Sequence, residues 1–375
     1  MTAPHLYVHV PFCVRRCTYC DFAIAIRRRI PVREYVEAVR AERDGRRAEL
    51  GPAFETVYFG GGTPSLLPPD AITALLGALL EPADPRWRDD AEITLEANPE
   101  DVTPDSARAW RAAGINRVSL GAQSFDDRVL RWMHRSHDAA RIAEAVRHLR
   151  GAGFANVSLD LIFALPDALE RDWDRDLDRA LALAPEHLSL YGLTVEERTP
   201  LARWVSRGAT RPPSDERYAA EYLRAHQRLS AAGYEFYEVS NAARPGFRSR
   251  HNSAYWSGRA YAGLGPAAHS FDGRVRRWNL AAWEAYRRAV VEGRSPVASA
   301  EILTAEQQEL ERVYLGLRTS AGLPLPAPTR LGPALSAWVS AGWVRVSDGR
   351  LRSTPEGWLR LDALVADLTG SPVSA

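Results

Sequence analysis

Six short runs of β-branched, aromatic and aliphatic residues alternate with helical stretches over the first half of the chain. The runs at 6–10, 56–59, 92–96, 117–120, 157–161 and 187–191 predict strands. Apolar residues recur with helical spacing at 31–50, 68–80, 104–113, 138–150 and 170–184. Consecutive strand–helix units predict parallel strands joined by right-handed crossovers. Eight units close the usual barrel, so six predict an α/β fold with an incomplete (β/α)6 barrel, and its active site belongs at the carboxyl ends of the strands. The helix at 104–113 carries its own boundaries. Thr103 suits the N-cap, Pro104 the first turn and Gly114 the stop.

After residue 213 the pattern changes. A helix is expected at 214–232 and a strand at 234–239, followed by an irregular stretch at 240–280 rich in Arg, Gly, His, Trp and Tyr. Helices at 304–318 and 330–341 then precede strands at 343–346 and 351–353, with an S-D-G turn between them and a last helix at 355–368. Helices followed by a two-stranded ribbon resemble a small winged-helix α+β domain. The expected division is therefore a barrel at 1–213, a connecting region at 214–299 and a C-terminal unit at 300–375.

A net charge of +1 gives no bulk attraction to nucleic acid or acidic lipid, and no basic stripe accompanies the winged-helix pattern. All basic charge is arginine. With no lysine in the chain, lysine Schiff-base and nucleophile chemistry is excluded. The first ten residues lack the apolar core of a signal peptide, and no apolar run approaches the ~18 residues a membrane span needs. The expectation is a cytoplasmic protein.

All three cysteines lie within eight residues, Cys13, Cys17 and Cys20, directly after the first predicted strand. An odd, clustered set argues for metal binding over a disulfide framework. Soft thiolates suit iron–sulfur centres, and three thiolates on a four-iron cluster leave one iron open to a non-protein ligand. The competing readings are three chance thiols and a structural zinc site. Zinc normally takes four ligands, and His9, the nearest candidate for a fourth, sits awkwardly on the strand.

The segment G-G-G-T-P at 60–64 follows the second strand, where glycine lets backbone come close to a ligand. Glu96, Gln123 and Asp160 each lie at or near the carboxyl end of a later apolar strand. Arg135 follows in M-H-R-S-H. A polar group inside a barrel costs a few kcal/mol unless it is hydrogen-bonded. Three on successive strands favour a site.

The C-x3-C-x2-C loop after a first strand, with Tyr19 before its last cysteine, resembles the signature of the radical SAM superfamily. The resemblance implies a 4Fe–4S cluster on Cys13, Cys17 and Cys20, with S-adenosylmethionine (SAM) chelating the open iron. In that family an electron from the cluster splits the SAM C–S bond to give a 5′-deoxyadenosyl radical. Along nearly the whole chain, Y-x-H-x-P-F-C, G-G-G-T-P-S, E-A-N-P, G-A-Q-S-F and D-L-I-F-A-L-P occur in the order found in oxygen-independent coproporphyrinogen III dehydrogenase and its relatives. By that resemblance Tyr7, Gly61 and Glu96 contact the cluster-bound SAM. Tyr19, Gly62, Thr63, Gln123, Arg135, Asp160 and Thr194 match positions that line a second SAM in the dehydrogenase.

One departure separates two branches. The dehydrogenases carry a further cysteine two residues after the third cluster ligand, and here that position is Phe22. The motif H-N-S-A-Y-W at 251–256 instead matches the heme-chaperone branch, in which H-N-x-x-Y-W is implicated in heme binding. Histidine is a frequent axial heme ligand, and Tyr and Trp can flank a macrocycle. His251 is therefore the expected heme ligand. The segment Y-A-G-L-G-P-A-A-H-S at 261–270 also matches the branch and offers His269, although packing is the ordinary role of such a histidine. The implied function is a heme chaperone that binds the cluster, SAM and heme and delivers heme to hemoproteins such as respiratory enzymes. The alternative is the oxidative decarboxylation of coproporphyrinogen III. A homodimer and a peripheral membrane contact fit the branch.

Overall fold

A computed structural model describes residues 3–50, 53–80, 90–325 and 332–370. The six expected strands form and lie side by side in chain order, all parallel: β1 (His5–Val10), β2 (Thr56–Gly61), β3 (Glu92–Ala97), β4 (Arg117–Gln123), β5 (Val157–Phe163) and β6 (His187–Gly192). All but β1 run past their expected carboxyl ends; in β2, β4 and β6 the added residues include glycines or a glutamine that do not look like strand. Their residues are buried almost throughout, as expected of a parallel sheet covered by its crossover helices.

Among the described residues, the α-helices over this half are α1 (Val32–Gly45), α2 (Pro69–Leu80), α3 (Pro104–Ala113), α4 (Asp127–Trp132), α5 (Ala139–Gly151) and α6 (Trp173–Ala182). The boundaries of α3 are those its sequence encodes. Thr103 accepts from the Ser106 N–H in a capping box, Pro104 opens the first turn, and Gly114 closes the helix at φ 104°. Only six residues long, α4 shows no usable period. Asp126 caps it by accepting from the Arg128 N–H.

Beyond α7 (Pro200–Ser206) and α8 (Asp215–Ala231), the stretch at 240–280 is not irregular, which corrects the sequence reading. After β7 (Glu235–Glu238) it holds β8 (Asn241–Ala243), α9 (Arg250–Trp256), β9 (Tyr261–Leu264), β10 (His269–Phe271) and β11 (Val275–Asn279). With α10 (Trp283–Val291) and β12 (Val297–Ile302), these elements extend both edges of the barrel sheet. Its order among the described residues is β12-β11-β10-β9-β1-β2-β3-β4-β5-β6-β8-β7. β9 is parallel to β1, whereas β10 to β12, and β8 and β7 on the other edge, are antiparallel to their neighbours. The reason the sequence hid this is physical. The strands are three to six residues long, and the pairings that tie them to the barrel sheet, β9 to β1 and β8 to β6, are non-local. Glycines that dilute the strand signal are required by close approach. A Cβ on Gly263 would lie 2.0 Å from the His269 carbonyl oxygen, and one on Gly265 (φ 97°) would lie 2.5 Å from that of His9.

A buried network on α1 holds this segment in place. Glu42 accepts from the Gly265 N–H at 2.8 Å, Asn279 Nδ2 at 2.7 Å and the Tyr286 hydroxyl at 2.7 Å. Arg46 donates to Glu42 at 2.8 Å, the Gly263 carbonyl at 2.7 Å and Ser270 Oγ at 3.0 Å. A buried ion pair is stable only when its remaining hydrogen-bonding sites are filled, and here β9 to β11 fill them.

The last unit has its own apolar core, including Val313, Leu317, Leu335, Trp338, Leu351 and Leu364. It comprises α11 (Ala305–Arg318), α12 (Pro333–Ser340), α13 (Pro355–Trp358) and α14 (Leu361–Thr369), around a sheet of β13 (Leu323–Pro324), β15 (Arg350–Ser353) and β14 (Val344–Ser347). Residues 330 and 331 of the expected helix lie outside the described residues. The single helix expected at 355–368 is two, α13 and α14.

Candidate functional site

Alternation along the barrel strands aims one polar series inward: His5, Tyr7 and His9 on β1, Thr56 and Tyr58 on β2, Thr94 and Glu96 on β3, Ser158 and Asp160 on β5. The period of H-L-Y-V-H-V in β1 displays this face, and the same alternation in T-V-Y-F of β2 is the sequence signal that locates Tyr58, which the motif reading missed.

The cysteine loop leaves the carboxyl end of β1. Cys13 is buried, and Cys17 and Cys20 are half-buried. The Cys13 Sγ lies 3.3 Å from Thr63 Oγ1, so G-G-G-T-P and the first cysteine meet. Glycines 60–62 allow this contact: Cβ atoms on them would fall 2.6–2.9 Å from Tyr7, the His9 ring and the Pro11 carbonyl. The Cys20 N–H donates to the Cys17 carbonyl and folds the loop back on itself. Arg135 lies close to the sulfurs, with Nη1 3.5 Å from Cys17 Sγ. Its Nη2 donates to Asn98 Oδ1 at 2.5 Å and the Gly121 carbonyl at 3.0 Å, while its buried Nε has no hydrogen-bond partner among the described residues. Burial pushes the Cys13 and Cys20 thiols up, and the Arg135 cation would offset the negative charge of sulfur held as thiolate by a metal. His9, the candidate fourth zinc ligand, is committed elsewhere. Its Nε2 donates to the Ala23 carbonyl at 3.1 Å, and its Nδ1 accepts from the Tyr7 hydroxyl at 3.1 Å. Three thiols on one short loop, with the Arg135 guanidinium reaching them from beyond α4, fit a thiolate-held cluster.

Glu96 accepts from the Tyr58 hydroxyl at 2.8 Å and from the Gly61 N–H at 3.0 Å. Burial pushes its carboxyl up to about 7, against the pull of these two hydrogen bonds, and the nearby Asp160 adds to the rise. Tyr7, Gly61 and Glu96 thus line one opening. Gln123 ends β4 at φ 65°, an uncommon conformation outside glycine. Its side chain and that of Arg135 both crowd Gly121, where a Cβ would lie 3.0 and 3.1 Å from them. Tyr19 packs with Val129, Met133 and Leu165. Asp160 accepts from Ser119 Oγ at 3.0 Å, so its carboxylate has partners inside the protein. Thr194 lies exposed beyond β6.

His251 lies at the start of α9. Glu92 on β3 accepts from the Arg250 and His251 N–H groups, both at 3.0 Å, and anchors the helix N-terminus to the barrel. The His251 ring is 1% exposed and stacks on Tyr58 with centroids 5.0 Å apart. Its Nδ1 is 2.7 Å from Thr56 Oγ1 and its Nε2 is 2.8 Å from the Tyr255 hydroxyl. Burial lowers its pKa to about 3, with charge on His5 and Arg117 contributing. Axial coordination by His251 would require one of these hydrogen bonds to break.

Tyr255 and Trp256 from the same motif reach a cavity of about 1020 Å³ that also takes in Phe22, Ala23, Tyr7 and Glu96. Its volume stands at the upper end of the ~300–1,000 Å³ that small-ligand pockets span. Phe22 is 59% exposed on this wall, where the dehydrogenase pattern has cysteine. The cavity therefore joins the cysteine loop to the H-N-S-A-Y-W helix.

Residues 7–180 match the model of the radical SAM superfamily. The chain is 40% identical over 379 residues to "Heme chaperone HemW" of Mycobacterium tuberculosis (strain H37Rv), covering 97% of this chain and 94% of that one. It is 34% identical over 318 residues to the protein of the same name in Bacillus subtilis (strain 168), covering 84% of each. To "Radical S-adenosyl methionine domain-containing protein 1, mitochondrial" of Bos taurus it is 33% identical over 394 residues, 97% of this chain and 86% of the other. Among solved structures, coproporphyrinogen III oxidase (HemN) from Escherichia coli superposes with a TM-score of 0.80 at 24% identity, covering 97% of this chain and 89% of that one, a likeness of fold.

Proposed function

Because the chain belongs to the radical SAM superfamily, in the HemW heme-chaperone family, we propose that it holds a 4Fe–4S cluster and SAM at the barrel mouth, binds heme beside them and delivers heme to hemoproteins such as respiratory enzymes. Cys13, Cys17 and Cys20 hold the cluster in this reading, with Arg135 balancing the charge on sulfur. Glu96 and the 61–63 backbone take the polar end of SAM, with Tyr7 and Tyr58 closing one side. The cluster, when bound, supplies one electron at an iron that three thiolates leave open.

The observation that carries the reading is the single cavity shared by Phe22 of the cysteine loop, Glu96 and the aromatic pair Tyr255 and Trp256. A planar apolar macrocycle with polar edges needs aromatic walls of this kind. A second reading, oxidation of coproporphyrinogen III, draws support from the shared fold with HemN. Phe22 speaks against it, because the cysteine of the dehydrogenase pattern is absent.

One experiment separates them. Anaerobically reconstituted protein is assayed for iron, titrated with hemin, and incubated with coproporphyrinogen III, SAM and reductant. The expected result is about four irons per chain, saturable heme binding and no protoporphyrinogen IX. Stoichiometric zinc without iron–sulfur absorption removes the radical SAM chemistry, and turnover promotes the enzyme reading.

A further inference from the structure

Three histidines stand around the large cavity, and two are already committed. His9 uses both ring nitrogens, on Tyr7 and Ala23. His251 uses both on Thr56 and Tyr255, and it lies behind the cavity wall instead of on it. His269 differs from both. It opens β10, is exposed and lines the cavity, and neither of its ring nitrogens has a hydrogen-bond partner among the described residues. Its ring stacks on Trp278, with centroids 5.7 Å apart and planes 23° from parallel, and this fixes the ring's orientation without engaging a nitrogen.

We infer that His269, not His251, offers the imidazole that coordinates heme iron in this cavity. The inference rests on the heme-binding reading above and names the ligand within it.

The backbone around His269 is built to hold that ring still. Gly263 lets the His269 carbonyl approach, since a Cβ there would lie 2.0 Å from the oxygen. Ser270, the next residue, accepts from the Gly263 N–H at 2.9 Å and from Arg46 at 3.0 Å. The segment G-L-G-P-A-A-H-S is thereby clamped to β1 and α1 on both sides of the histidine. A ligand must be preorganised by its neighbours to bind a metal well, and this clamp supplies the preorganisation. The same cavity carries Phe271 and Trp256 as aromatic wall. Its cationic residues, Arg259 and Arg276, are ion-paired with Glu55 and Glu311, and would exchange these partners for the two carboxylates at the edge of a heme. In this arrangement H-N-S-A-Y-W contributes Tyr255 and Trp256 to the wall, and His251 is the positioning residue that holds the Tyr255 hydroxyl.

The test uses the full chain and ferric heme, with the Soret band followed in titrations of wild type, His269→Ala and His251→Ala. The expected result is that His269→Ala weakens heme binding at least about tenfold and loses the histidine-ligated spectrum, that added free imidazole restores that spectrum, and that His251→Ala retains it. Because His269 is exposed, the variant should keep the wild-type circular dichroism, so lost ligation cannot be mistaken for unfolding. A His269→Ala spectrum and affinity equal to wild type overturns the inference while leaving the heme reading intact. So does a loss of the histidine-ligated spectrum confined to His251→Ala when that variant keeps the wild-type circular dichroism. Wild type that fails to bind heme at all overturns the heme reading and the inference together.

Discussion

The hydroxyl of Tyr255 lies 2.8 Å from Nε2 of His251, one turn earlier on the same helix. With Thr56 Oγ1 2.7 Å from Nδ1, the ring is fully engaged inside the protein. The most prominent histidine of the sequence is thus a structural junction between α9 and β2, and the chemistry of its motif passes to the aromatic residues that follow it.

His251→Ala should destabilise the protein by about 2–4 kcal/mol, because it leaves the Tyr255 hydroxyl without a buried partner, leaves Thr56 with only His5, and opens a cavity. Urea denaturation measures this. The pH dependence has a definite sign. A histidine whose folded pKa is lowered to about 3 contributes stability above the unfolded value near 6.5, and that stability is lost as pH falls from there toward 3. Acidification over that window should cost wild type more than the variant.

Cys17→Ala should abolish the cluster, since two thiolates are too few to hold it. Iron content and iron–sulfur absorption after anaerobic reconstitution read this directly. Retention of about four irons per chain would remove Cys17 from the ligand set.

Glu96 should make SAM affinity depend on pH. With its carboxyl up to about 7, the group is half protonated at neutrality, and only the anion attracts an ammonium group. SAM binding should strengthen from pH 6 to pH 8, and Glu96→Gln should weaken it and flatten the profile, as measured by calorimetry. Stability without ligand runs the other way. The folded state holds a proton that the unfolded chain has lost between about 4.3 and 7, so wild-type stability contributed by this group declines as pH rises through that window. Glu96→Gln should remove that decline.

Gly263→Ala should cost about 1–3 kcal/mol, an overpacking penalty. The added Cβ would lie 2.0 Å from the His269 carbonyl, which is backbone and cannot rotate away, so β9 and β10 must separate. Thermal unfolding reports the loss. A wild-type melting temperature would mean that the hairpin relaxes freely.

Much of the barrel was legible because its signals are local. The caps of α3 sit within its own twelve residues, and each parallel strand is an apolar run set off from a helical period. The spacing of Cys13, Cys17 and Cys20 likewise needs no tertiary information. The stretch at 240–280 was not legible for the opposite reason. Tyr261–Leu264 becomes a strand by pairing with β1, more than 250 residues earlier, and glycine dilutes its pattern. Glu42 and Arg46 read as ordinary exposed helix charges until the hairpin supplies Gly263, Gly265, Ser270 and Asn279 as partners.

The sequence by itself determined the parallel strand–helix order, the cysteine loop at the end of the first strand and the glycine segment after the second, because each depends on residue type at short separation. Only the tertiary structure decided which histidine faces the cavity. His251 and His269 are alike as residues. The first is enclosed by Thr56 and Tyr58 from β2, and the second is turned outward by a hairpin clamped to α1. Availability to a ligand depends on what surrounds a side chain, and those surroundings come from strands nearly 200 residues away in the chain.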